Sequence, residues 1–230
     1  MFKKSILLFF ISSSAIAGAF GPRESKLIFE SDKAYIQYRI DNTGKDMPWL
    51  VQAWVEDSKE KKTKEFTPTP LVFRVEPSSV FSVRVMKTGS PDEHKETLYW
   101  IVSNSLPGGD KTELKSHDDK ITAKMNLAYR FKVPMIYRPI SLKNIPQQPE
   151  NLEWSVDGKG KVKVKNSSRY IVQLQSINIH NSLHQGKGVS YFINPMSDVT
   201  LNVSAKSGTK IHYSVINDYG AVKEYEGVIN

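Results

Sequence analysis

The strongest constraint on this chain is its rhythm. Ala34, Ile36, Tyr38 and Ile40 alternate with Tyr35, Gln37 and Arg39, and Asp41-Asn-Thr-Gly44 then supplies a turn. Leu50 to Val55 is a second such run, closed by Glu56-Asp57-Ser58. Leu71 to Val75 ends at Glu76-Pro77-Ser78, Phe81 to Val85 alternates again, and Leu98 to Val102 leads on to Pro107-Gly108-Gly109. Runs of about five β-branched and aromatic residues between turn formers predict antiparallel strands packed as a sandwich. Helical periodicity is hard to find. The fold class is all-β.

A break falls near residue 140. Pro139, Pro146 and Pro149 stand within eleven residues, which does not suit the interior of a sheet. Strand patterning then resumes: Leu152 to Val156, Lys161 to Lys165, Tyr170 to Leu174, Tyr191 to Ile193, Val199 to Val203 and Ile211 to Ile216. At roughly 100–150 residues per domain, 230 residues accommodate two sandwiches, over 20–139 and 140–230. Lys161, Lys163 and Lys165 alternate with valines, the pattern of the solvent side of an edge strand.

Residues 1–19 read as a signal peptide. Lys3 and Lys4 precede the apolar core Ile6 to Ile11, and small residues offer cleavage after Ala17 or Ala19. The apolar run is too short to span a bilayer, so export without stable membrane insertion is expected. There is no cysteine, which excludes a disulfide scaffold, a thiolate zinc site and a cysteine nucleophile. The net charge of +8 favours acidic partners, but an exported chain has little occasion to meet nucleic acid, and none is expected.

Catalytic chemistry is not evident. The five histidines (His94, His117, His180, His184 and His212) are scattered, and no nucleophile elbow, phosphate loop or zinc-protease motif occurs. No enzyme activity, metal or cofactor is expected.

One run stands apart. Met125, Leu127, Tyr129, Phe131 and Val133 share one face of a nine-residue alternation, and Asn126, Ala128, Arg130 and Lys132 share the other. Two readings fit: a core strand with a polar outer face, or a recognition strand whose backbone pairs with a partner while alternate side chains fill its groove.

Five segments then resemble one family, the PapD-like periplasmic chaperones of pilus and fimbrial assembly. Pro48-Trp-Leu-Val-Gln-Ala-Trp-Val-Glu-Asp57 is similar to their P-x-L-x-Q-A-W segment, and Thr69-Pro-Leu-Val-Phe-Arg-Val-Glu-Pro77 to T-P-P-x-x-R-x-x-P. Glu96-Thr-Leu-Tyr-Trp100 resembles R-E-S-L-F-Y with Lys95 in place of Arg. Ile136-Tyr-Arg-Pro139 resembles F-Y-R-P, and Val215-Ile-Asn-Asp-Tyr-Gly220 resembles I-N-D-Y-G. The modest, cysteine-free stretch between Leu106 and Met125 leans towards the short-loop members.

The resemblance implies two immunoglobulin-like domains in an L or boomerang arrangement. It implies a cofactor-free periplasmic protein of a Gram-negative bacterium that caps pilin subunits by donor-strand complementation and delivers them to an outer-membrane usher. Met125, Leu127 and Tyr129 match the groove-filling positions, and Phe131 and Val133 continue that face. Glu96, Arg138 and Asp218 match an interdomain charge network. For the pilin's terminal carboxylate the family uses an Arg on the first strand and a Lys on the capping strand. Here Lys26 takes the first place and Pro134 the second, so Lys132 is the substitute anchor, with Arg130 behind it and Arg23 as a weaker alternative. Pro134 is expected to end strand pairing early. An unoccupied capping strand could also pair with its own copy. The competing reading is a secreted immunoglobulin-like adhesion or carbohydrate-binding module.

Overall fold

The computed structural model describes residues 19–108 and 128–230. The expected leader up to Gly18 lies outside them, as do Met125 and Leu127 of the expected capping strand.

The first sandwich is built from nine strands: β1 (Phe20–Pro22), β2 (Leu27–Glu30), β3 (Tyr35–Asn42), β4 (Trp49–Glu56), β5 (Phe66–Thr69), β6 (Val72–Val75), β7 (Ser79–Lys87), β8 (Thr97–Pro107) and β9 (Tyr129–Arg138). One sheet has the order β1-β3-β7-β5, the other β2-β9-β8-β4-β6. Alternation sends Val51, Ala53 and Val55 of β4, and Val83 and Val85 of β7, into one core with Phe29, Tyr38, Ile101 and Met135. The first two strands divide their loyalty: β1 pairs antiparallel with β3, whereas β2 pairs parallel with β9 over Met135 to Arg138.

Two 3-10 turns, Ile140–Leu142 and Pro149–Asn151, lead into the second sandwich. Its strands are β10 (Glu153–Val156), β11 (Lys161–Asn166), β12 (Val172–Ile179), β13 (Ser182–Gln185), β14 (Tyr191–Ile193), β15 (Ser197–Ser204), β16 (Lys210–Ile216) and β17 (Val222–Val228). They form a β10-β11-β15 sheet and a β13-β12-β16-β17 sheet, with β14 also on β12. Trp154, Leu174, Ile177, Ile211 and Tyr213 lie in the core between them.

The edge-strand reading of Lys161 to Lys165 is corrected. β11 is the middle strand of its sheet, and its lysines find carboxylates on both neighbours, Lys165 on Glu153 and Lys163 on Asp198. Alternating lysines mark a solvated face, and a central strand of a one-sided sheet has one too.

Candidate functional site

The two sandwiches meet at a charged joint. Arg138 ends β9, where Pro139 stops the strand. Its Nε donates to Glu96 Oε1 at 2.6 Å, and its second guanidinium nitrogen stands 2.7 Å from Asp218 Oδ2, on the turn after β16. Glu96 is 2% exposed, and its other oxygen accepts the Ile171 backbone N–H at 2.7 Å. Gln147 Nε2 donates to Asp218 at 3.0 Å. Burial raises the Glu96 carboxyl above its ordinary range against the pull of Arg138. Burial works against the Arg138 charge as well, but Asp218 and Glu96 hold that guanidinium firmly protonated. Arg138 thus links Glu96 and Asp218 across the joint, beside a small apolar cluster of Leu98, Ile136 and Ile171.

The expected cations separate into two environments. Lys26, just before β2, is half-buried in the cleft. Its Nζ donates to Gln173 Oε1 at 3.0 Å and to the Asn217 carbonyl at 2.7 Å, both in the second sandwich. Burial lowers its pKa, and the nearby charges of Asp218 and Glu96 oppose that. Lys132 and Arg130 lie on the outer face of β9 and share the carboxylate of Glu56, at the end of β4. Arg130 donates to Glu56 Oε1 at 2.9 Å, as does Trp54 Nε1. Lys132 Nζ stands 3.2 Å from Glu56 Oε2 and 3.0 Å from Glu60 Oε1, above the Trp100 ring. Burial alone would raise the Glu56 carboxyl, but Trp54, Lys132 and Arg130 outweigh it and hold it low. Arg23 is committed to Asp41 through two bonds of 2.9 and 2.8 Å.

Sequence reasoning missed Glu56. It treated the residue as the start of a turn, although Leu50, Gln52, Trp54 and Glu56 share one strand face. It also missed Trp100 and Phe192, whose rings meet edge-on at 5.8 Å across the cleft.

The apolar face of β9 is not uniform. Tyr129 is 40% exposed and its ring lies 5.2 Å from that of Trp49. Phe131 is partly buried against Phe20 and Gly21. Val133 departs from expectation: at 5% exposure it packs into the first sandwich's own core. Pro134 does not end pairing with β8, which runs from Tyr137 to Tyr129. It does lie one residue before pairing with β2 begins, at Met135 opposite Leu27. Among the described residues, the side of β9 opposite β8 therefore has no strand partner from Tyr129 to Pro134.

Comparison with known proteins agrees with this architecture. Residues 19–143 match the family described as pili and flagellar-assembly chaperone, PapD N-terminal domain, and residues 147–227 match pili assembly chaperone PapD, C-terminal domain. The probable fimbrial chaperone SfmC of Escherichia coli K12 is 29% identical over 224 residues, 94% of this chain and 91% of that protein. The probable fimbrial chaperone LpfB of Escherichia coli O157:H7 is 25% identical over 220 residues, covering 95% and 91%. Among solved structures, the YadV chaperone superposes with a TM-score of 0.73 at 25% identity, covering 91% of this chain and 98% of that one. The Salmonella enterica SafB chaperone, solved with the SafA pilin, shares the fold at a TM-score of 0.76 and 24% identity, covering 94% and 98%. No helix among the described residues is long and apolar enough to cross a membrane. With both halves matched in order, the chain belongs to the PapD-like family of pilus-assembly chaperones.

Proposed function

We propose that this chaperone captures pilin or fimbrial subunits by lending them a strand, and hands them to an outer-membrane usher. The observation that carries this reading is the side of β9 between Tyr129 and Pro134 that has no strand partner among the described residues. A subunit that lacks a strand exposes both unpaired backbone and an apolar groove, and each is an aggregation hazard. A free edge supplies the backbone bonds, and the alternate side chains Met125, Leu127 and Tyr129 fill the groove. Phe131 and Val133 anchor the same strand in the chaperone itself.

Lys26 receives the subunit's terminal carboxylate at the cleft, with Lys132 as the second cation. The Glu96–Arg138–Asp218 cluster holds the two sandwiches, 20–139 and 140–230, at the angle the cleft needs. The leader over 1–19 sends the chain to the periplasm and is removed. No cofactor takes part, because strand exchange is driven by the pairing and burial it completes.

The test is the double variant Leu127→Glu with Tyr129→Glu, titrated with the source organism's purified pilin. Binding is expected to be lost while the far-ultraviolet spectrum and unfolding midpoint are kept. Undiminished binding would sink the strand-lending mechanism.

A further inference from the structure

Lys132 is already occupied, and its two partners are unlike each other. Glu56 is 4% exposed in its side chain and fixed from the other side by Trp54 Nε1 and Arg130. Glu60 is 70% exposed in its side chain and reaches Lys132 from the turn that follows β4. That turn does not depend on the Glu60 carboxylate. Asp57 Oδ1 accepts the backbone N–H groups of Lys59 and Lys61, and Asp57 N donates to the Lys61 carbonyl. The turn nonetheless puts Glu60 in the left-handed region, at φ 62°, a conformation that a non-glycine residue adopts at some cost. Glu60 also borders the interdomain cleft together with Trp100, Tyr191 and Phe192.

We infer that Glu60 is a placeholder: its carboxylate occupies Lys132 until the subunit's terminal carboxylate displaces it. The inference rests on the reading of Lys132 as a carboxylate anchor and adds a competitor to it. The geometry separates a fixed counter-charge from an exchangeable one. Glu56 keeps Lys132 in position, because removing it would strand two cations on one face. Glu60 can swing into water, where an exposed ion pair has little to lose. The exchange is carboxylate for carboxylate, so Lys132 is never left facing the aromatic wall of the cleft with Glu56 alone. A chain end without a carboxylate makes no such exchange and leaves Glu60 on Lys132.

The experiment uses the full mature chain as wild type, Glu60→Gln and Lys132→Ala. The probe is an acetylated pentapeptide of alternating valine and threonine ending in a free carboxylate, compared with its amide by calorimetric or NMR titration. Glu60→Gln is expected to tighten binding of the free carboxylate by roughly two- to fivefold, the range of an exposed ion pair, without changing binding of the amide. Lys132→Ala is expected to cut the preference back to the part that Lys26 supplies. If Lys132→Ala cuts it but Glu60→Gln leaves it unchanged or weakens it, the placeholder is overturned and Lys132 stands as an anchor. If the wild type shows no preference, or Lys132→Ala leaves it whole, both fall.

Discussion

Replacing Glu96 by alanine tests the joint between the sandwiches. The side chain makes two short bonds from a nearly sealed position, to Arg138 Nε at 2.6 Å and to the Ile171 N–H at 2.7 Å. Its loss leaves Arg138 with Asp218 alone and orphans a backbone donor of the second sandwich. Breaking a buried ion pair from one side costs about 3–5 kcal/mol. Glu96→Gln should cost less, about 1–2 kcal/mol, because the amide keeps the shape and one acceptor and no longer bears the burial penalty that raises the carboxyl's pKa. Urea unfolding read by tryptophan fluorescence suits the measurement: Trp49, Trp54 and Trp100 report the first sandwich and Trp154 the second. Glu96→Ala is further expected to split one transition into two, as the sandwiches lose their shared charge. The reasoning fails if Glu96→Ala loses less than about 1 kcal/mol, or if the alanine and glutamine variants lose the same amount.

Three other outcomes follow from the geometry. Lys26→Ala should weaken pilin binding by about tenfold, the worth of one charge-assisted hydrogen bond; equal affinity in a titration would remove Lys26 from the anchor. Val133→Ala should cost about 2 kcal/mol of stability through lost burial and a cavity yet leave pilin affinity unchanged below its melting range, and a selective loss of affinity would return the residue to the binding face. Burial pushes Tyr38 and Tyr213 up to about 12 and raises Tyr99 and Tyr137 further. A raised folded pKa contributes stability that is full below the unfolded value of about 10 and is lost as pH climbs towards the folded one. A tyrosinate absorbance titration should therefore show these four ionising late, together with unfolding, and a single smooth step near 10 for all ten tyrosines would contradict it.

What was legible in the sequence follows the range over which each signal acts. Strand alternation is local, because successive side chains take opposite faces, so Tyr35 to Ile40 and Leu50 to Val55 read directly as strands. β5 escaped because Pro68 interrupts its pattern, and a proline is tolerated there only because β5 borders its sheet. The joint could not be read from pattern at all: Glu96, Arg138 and Asp218 stand far apart in sequence, and only their matching motifs brought them together. The cleft was the hardest part, because a cation's role depends on which carboxylate reaches it. Lys132 and Arg130 look free on a strand diagram, yet Glu56 crosses from β4, past β8, to hold both. Lys26, by contrast, meets only neutral oxygens of Gln173, Ile216 and Asn217 among the described residues. An ammonium that three neutral acceptors orient, and no carboxylate touches, keeps its charge available to an incoming anion. In the proposed anchor Pro134 thus shifts the burden towards Lys26, since the cations of β9 are already matched by carboxylates and Lys26, among the described residues, is not.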